Sequence, residues 1–258
     1  MKGSEKRAAL FDTAATAYDK FRPGYPEQLI DDMLNLPCVT ASSRLLEVGC
    51  GTGKATVQVA QRGYSIDCID PGANLLAIAR KNCKAWPSVR FLQGKFEQVS
   101  LSPNHYDLVY SAQAFHWVGQ DIRWSLCRTY LVPKGAVAVI HNYSPVPQQG
   151  SGRELTARLE QLTAGSMKSN DHEASIRQWT EEMEGTGAFS AVGVRRYSWK
   201  RPFTAEEYVG LFATFSDFLS MAQQRQEAVI ATIRDIIAAN GGIYEHQYES
   251  VLFEGVLS

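Results

Sequence analysis

Residues 45–56 read LLEVGCGTGKAT. An apolar run ends in an acid, Glu47, and three glycines follow at alternate positions: Gly49, Gly51 and Gly53. Glycine accepts left-handed backbone and lets a ligand come close, and a helix start beyond it offers backbone N–H groups. The acid discriminates between ligands. A dinucleotide lays its pyrophosphate over such a turn, and a carboxylate at the mouth would repel it. A nucleoside bearing an ammonium and a sulfonium would be drawn in, and S-adenosylmethionine (SAM) is one. A second acid, Asp70, follows about twenty residues on, at the carboxyl end of the next expected strand. Open α/β sheets bind their ligands at that end. Asp70 as a cap for the following helix is the structural alternative.

Other side chains carry chemistry less specifically. His116 falls just past the fourth expected strand, and His is the usual proton acceptor near neutral pH. Its alternative is a pocket-wall histidine with Trp117 packed beside it, and this reading is favoured. His141, at the end of the fifth strand, is read in the same way. Tyr18, Arg22 and Tyr25 flank a Pro-Gly break. An arginine there can hold a carboxylate through two parallel bonds, or can simply lie in solvent between packing tyrosines. Arg195, Arg196, Lys200 and Arg201 read as a solvated edge strand. Phe212, Phe215 and Phe218 read as core.

These residues need a frame. A helix is expected over 5–21, with Leu10, Phe11, Ala14, Tyr18 and Phe21 on one face, and a second over 27–34 after Pro26. Strands over 44–48, 65–70, 89–93, 106–111 and 136–143 then alternate with helices over 54–62, 74–82 and 122–131. Such alternation predicts an α/β fold with a doubly wound, mostly parallel sheet. Past Tyr143 come a Pro/Gln/Gly loop, polar helices at 153–165 and 173–185, a strand at 193–203, two helices, a Gly241-Gly242 stop and a strand at 244–252. The late strands complete seven, one of them antiparallel. A single domain over 1–258 is expected, with an amino-terminal lid about 1–35 and a helical cap insertion about 150–185.

Composition closes other routes. A net charge of −1 leaves no electrostatic footprint for nucleic acid. No apolar run is long enough to span a bilayer. The opening MKGSEKRAALFD lacks an apolar signal core, so a cytoplasmic location is expected. The five cysteines form no Cys-x-x-Cys pair and read as isolated thiols, and no metal site is expected. A monomer or homodimer is expected.

With the bend and the alternation in hand, the chain resembles class I SAM-dependent methyltransferases, which implies a seven-stranded Rossmann-like sheet and SAM as cofactor. The resemblance covers about residues 20–143 with its motifs in order. Around the bend it implies cofactor contacts from Glu47, Gly49, Cys50, Gly51 and Gly53. Asp70 and Pro71 lie where the family holds the ribose. FLQGKFEQ falls where it recognises adenine, which implicates Lys95, Phe96 and Glu97. Lys95 stands where the family often has an acid, so Glu97 or a backbone carbonyl would serve. YDLVYSAQAFHWV resembles the fourth strand and the loop below the methionine moiety, with Ser111 within it. LVPKGAVAVI resembles the Leu-x-Pro-Gly-Gly turn, with Lys134 for a glycine. FRPGYP and AQAFHW resemble the type 11 small-molecule branch that includes trans-aconitate methyltransferases.

The expected reaction is methyl transfer to a small molecule, for which proximity alone is worth on the order of 7 kcal/mol or more. The acceptor would lie among Tyr18, Arg22, Tyr25, His116, Trp117 and His141, and would enter between the lid and the cap. A carboxylate acceptor would be positioned by Arg22 and need no base, whereas a phenol, hydroxyl or amine would turn to His116. A nucleic-acid substrate is disfavoured, because Ser111-Ala112-Gln113-Ala114 is not the Asn/Asp-Pro-Pro-aromatic run used on base amines. Two alternatives are a SAM-binding protein that transfers nothing and a nicotinamide-dependent oxidoreductase. The second lacks the Gly-x-Gly-x-x-Gly spacing.

Overall fold

Five short apolar runs in the first half of the chain each end near a turn residue, and each becomes a strand. In the computed structural model they are β1 (Arg44–Val48), β2 (Ser65–Asp70), β3 (Val89–Gln93), β4 (Tyr106–Ala112) and β5 (Leu131–Tyr143). The structure describes residues 12–163 and 171–258. With β6 (Phe189–Thr204) and β7 (Ile243–Leu257) they form one seven-stranded, mostly parallel sheet in the order β3-β2-β1-β4-β5-β7-β6. The parallel pairs β1–β2, β1–β4, β2–β3 and β4–β5 need crossovers. α3 (Lys54–Ala60), α4 (Ala73–Asn82) and α5 (Arg123–Tyr130) provide them. All residues of β1 and β2 after the first are buried, as strands covered on both faces must be.

Register fixes what lies beside what. Glu47 pairs with Cys68 on β2 and with Tyr110 on β4, so these three side chains share one face of the sheet. The turn into β5 is less regular than expected. The strand starts at Leu131, five residues before the predicted start, and the β4–β5 register slips between Tyr106 and Leu108. Lys134, at φ +65°, takes a left-handed conformation that glycine usually supplies.

The chain divides into two units. The larger spans Pro23–Asn142, Glu173–Tyr197 and Ser250–Ser258. Leu29, Ile30 and Met33 of α2 (Glu27–Leu34) join Leu45, Val59, Leu76, Leu108 and Ile140 in its core. The described part of the other unit covers 12–22, 143–163, 171–172 and 198–249. It holds α1 (Ala15–Phe21), α6 (Gly150–Leu162), α8 (Ala205–Phe212), α9 (Ser216–Leu219) and α10 (Gln223–Ala239). Leu155, Phe203, Leu211, Phe212, Phe218, Val229 and Ile233 fill its core. Phe212 and Phe218 are therefore core residues, as their spacing predicts, and Phe215 packs against them.

Several boundaries moved. The helix expected over 5–21 is described from Ala15, and Leu10 and Phe11 lie outside the described residues. The 150–185 stretch holds α6 and α7 (His172–Gly185), and these fall mostly in different units. β6 and β7 run longer than their apolar cores, because strand pairing continues through polar residues whose side chains face out. The stop at 241–242 is as read: both glycines have φ above +80° or at it, and Gly242 N–H donates to the Ile237 carbonyl at 2.9 Å.

Candidate functional site

The bend is built by backbone bonds that glycine makes possible. Gly49, Gly51 and Gly53 stand at φ +73°, +55° and +85°. Gly49 N–H and Cys50 N–H both donate to the Ile69 carbonyl, at 2.8 and 3.1 Å, and this ties the bend to the end of β2. A Cβ on Gly49 would sit 2.2 Å from the Ala114 Cβ, so the loop after β4 presses directly on the turn. A Cβ on Gly51 would meet nothing within 4 Å. The outer face of the bend at Gly51 is therefore open.

Asp70 ends β2 beside that open face. Its Oδ2 accepts from Gly51 N–H at 2.9 Å and its Oδ1 from Gly72 N–H at 2.8 Å. An ionised carboxylate is an acceptor, the kind of partner that a ribose diol requires. The observation fits a nucleoside ligand: a bare backbone face with room above it, flanked by an oriented carboxylate. Asp70 thus shapes the bend, and the following helix has Gly72 as its N-cap with no side-chain cap bond, so the capping alternative weighed from the sequence is not seen.

Glu47 is a correction. The sequence places it at the mouth of the bend, yet the structure buries it with 1% of its surface exposed. The register turns its side chain between Cys68 and Tyr110. Its Oε2 accepts from Thr56 Oγ1 at 2.6 Å and from Tyr110 OH at 2.9 Å. Burial raises its pKa to about 7, against the two hydrogen bonds, which lower it. Glu47 therefore braces the bend from behind, linking β1, β4 and α3, and its charge does not guard the entrance.

Three more expected contacts turn inward. Cys50 is buried. Ser111 donates its hydroxyl to the Val48 carbonyl at 2.7 Å. The Phe96 ring is buried, 5.7 Å from that of Tyr130. Any ligand contact at these positions comes from the backbone. Nearby, Gly94 N–H donates to the Asp70 carbonyl at 3.1 Å, and the Lys95 carbonyl accepts from Gln98 and Val99 N–H. Glu97 is exposed, and Pro71 precedes the Gly72 N–H that Asp70 holds.

Beyond β4, residues Phe115–Trp117 form a single 3-10 turn. His116 lines a recess of about 290 Å³ with Arg123, Ser175, Gln178, Trp179 and Glu182. Its ring lies 4.8 Å from that of Trp117 and 6.0 Å from that of His141. His116 is exposed at the edge of the recess, and desolvation by the surrounding walls, then the Arg123 charge, lowers its pKa. The imidazole is therefore neutral at pH 7. Burial, then His116 and Arg123, takes His141 down to about 3.

The recess is held by residues that sequence spacing does not connect. Glu182 on α7 accepts from Arg123 Nε at 2.6 Å, from Arg123 Nη2, and from Trp124 Nε1 at 2.6 Å. The Arg123 guanidinium also lies 4.0 Å from the Trp179 ring centre. Arg123 and Glu182 are 59 residues apart, so no local pattern pairs them.

The amino-terminal candidates part company. Arg22 Nε donates to Thr214 Oγ1 at 2.7 Å, and its guanidinium lies between the Tyr18 and Phe215 rings. Tyr25 belongs to the larger unit, where its backbone N–H and carbonyl both bond the Gln58 side chain, at 3.1 and 2.8 Å.

Comparison with known proteins agrees with this geometry. Residues 45–135 match the model of a methyltransferase domain. An uncharacterized methyltransferase of Mycobacterium tuberculosis is 27% identical over 230 residues, covering 89% of this chain and 86% of that protein. A structure described as a candidate type II methyltransferase from Anaeromyxobacter dehalogenans superposes with a TM-score of 0.65 at 19% identity, covering 92% and 98%. Phosphoethanolamine N-methyltransferase 2 of Haemonchus contortus, in complex with phosphomonomethylethanolamine and S-adenosylhomocysteine, gives 0.56 at 17%, covering 95% and 57%. Residues 45–135 are thus similar to a methyltransferase domain, and the chain has the Rossmann-like fold of these structures.

Proposed function

We propose that the protein methylates a small organic acceptor, with a carboxylate as the favoured class. The open backbone face at Gly51 beside the Asp70 carboxylate carries the donor half of this reading. Bound SAM supplies an electrophilic methyl on a sulfonium. The chain holds the nucleoside through the bend and Asp70, and proximity and alignment do most of the remaining work.

The acceptor half rests on basicity. His116 lines the recess, and its pKa is pushed below the ordinary histidine value by desolvation and by the Arg123 charge. A proton acceptor serves best when its pKa lies near the working pH. His116 therefore suits an acceptor that arrives already ionised, and a carboxylate does. Trp117, His141 and Tyr25, of the same unit, would wall the acceptor. The type 11 resemblance points the same way.

The test is turnover. The protein is incubated with SAM and separate panels of carboxylates, phenols and amines, and S-adenosylhomocysteine and methylated products are read by mass spectrometry. Methyl esters from carboxylates are expected. Turnover confined to phenols or amines would overturn the carboxylate reading, and SAM binding without any turnover would leave a non-catalytic binder.

A further inference from the structure

Three segments of the second unit meet through side chains: the residue after β5, the start of β7 and the middle of α8. Ser144 Oγ lies 3.0 Å from His246 Nε2, and His246 Nδ1 lies 3.1 Å from the Tyr208 hydroxyl. The first pair is 102 residues apart and the second 38, so no local pattern joins them. The settings differ along this row. Ser144 is exposed, whereas His246 and Tyr208 are buried.

Aromatic rings fix the plane of the imidazole. Tyr248 meets it edge-on at 4.4 Å between ring centres, Tyr244 at 5.7 Å and Phe203 at 6.2 Å. Burial lowers the His246 pKa to about 4 and raises that of Tyr208 well above the ordinary phenol value. At pH 7 the imidazole is therefore neutral and the phenol protonated. A neutral imidazole has one N–H and one lone pair. With the N–H at Nδ1, the Tyr208 oxygen accepts it, and the lone pair at Nε2 faces the Ser144 hydroxyl. A purely structural histidine would make the same two bonds, and the reactivity of Ser144 separates the two roles.

A hydroxyl, a base within hydrogen-bond reach and a third group that orients the base are the arrangement that activates a nucleophile for acyl transfer. We propose that Ser144 is such a nucleophile, with His246 as its base and Tyr208 as the group that positions the ring, and that it takes an acyl group from an activated ester. Ser144 Oγ bonds to the carbonyl carbon as its proton passes to His246 Nε2. The bond from that carbon to the leaving oxygen then breaks, and the leaving oxygen takes the proton from Nε2. The ring ends neutral and Ser144 ends as an ester. A buried imidazole is a weak base, and a phenol stabilises an imidazolium less than a carboxylate does. Both facts favour an ester whose leaving group is itself a weak base, such as a nitrophenol. The site lies within one unit and does not depend on methyl transfer.

The test uses the full chain at pH 7 without SAM. Wild type, S144A, H246Q and Y208F are exposed to p-nitrophenyl acetate, acetylation is mapped by peptide mass spectrometry, and each thermal midpoint is recorded. Ser42, exposed and bonded to the Thr40 hydroxyl, is the internal reference. In wild type Ser144 is expected to gain an acetyl group faster than Ser42, with nitrophenol released in equal amount. S144A should lose that label. H246Q should acetylate Ser144 about tenfold more slowly or less, and Y208F about two- to tenfold more slowly. If H246Q does not fold, Y208F decides the matter. The site is overturned if folded wild type acetylates Ser144 no faster than Ser42, or if a folded H246Q or Y208F labels it at the wild-type rate. A SAM titration run alongside keeps this result separate from the transferase reading: intact SAM binding with no Ser144 acetylation sinks only the nucleophile.

Discussion

Replacing Gly51 and Gly49 by alanine, one at a time, separates the cofactor face of the bend from its structural face. Both glycines have positive φ, at +55° and +73°. A left-handed alanine costs roughly 1–2 kcal/mol. At Gly51 nothing else opposes the new methyl, since its Cβ would meet no atom within 4 Å. For a chain of this size each kcal/mol moves the melting midpoint by about 2–4 °C, so G51A should lose about 2–8 °C. At Gly49 the Cβ would lie 2.2 Å from the Ala114 Cβ, and a methyl on a short side chain cannot swing away. Overpacking adds about 1–3 kcal/mol, so G49A should lose about 4–20 °C. Binding should rank the other way for its cause. In G51A the methyl occupies the open face, and SAM affinity measured by calorimetry on folded protein should fall tenfold or more, about 1.4 kcal/mol. Thermal melts and SAM titrations on both variants check this. A folded G51A that binds SAM like wild type would refute the placement of the cofactor over the bend.

Glu47 gives a pH signature. Its folded pKa, about 7, lies above the ordinary 4.5, so its contribution to stability is full at low pH and is lost as pH rises through 7. The melting midpoint of wild type should carry a downward component between pH 5 and 8, worth up to about 3 kcal/mol, that E47Q lacks; a pH series of melts on both proteins reads it. Removing the partner of a buried cation is costly, and E182A strands Arg123 among aromatic rings. Denaturant titration should find it less stable by about 3–5 kcal/mol. Because His116 is neutral across the working range, the rate with a carboxylate acceptor should show no histidine inflection between pH 5.5 and 8. H116Q should keep most of that rate, and initial-rate profiles decide both points.

Most of the frame is legible in the sequence because period and punctuation are local. The strands 44–48, 65–70 and 89–93 have the bounds that apolar runs and turn residues predict. Glycines at 241–242 end α10 through a bond that local spacing dictates. Boundaries fail where pairing with a neighbour extends a strand past its own signal. β5 starts at Leu131 because it pairs with Tyr106 across a register slip, and no property of residues 131–135 alone announces that.

Side-chain direction is the part that sequence withholds, and Glu47 shows why. Its type and its place before the glycines are readable, and both suggest a charge facing a ligand. Whether it faces the ligand depends on which residues of β2 and β4 stand beside it, a fact of register between segments 21 and 63 residues away. Once Tyr110 and Thr56 both donate to its Oε2, the carboxyl becomes a brace. Asp70 is also buried, but it ends its strand, and its carboxylate is met by the Gly51 and Gly72 N–H groups of the turns beside it. The same reasoning applies to Arg201. A basic run suggests solvent, and Arg195, Arg196 and Lys200 are exposed, but Arg201 is half-buried where its Nη1 reaches the Phe21 carbonyl. Charge at the end of a strand, beside glycine turns, can therefore be placed from sequence. Charge within one cannot be, until the register is known.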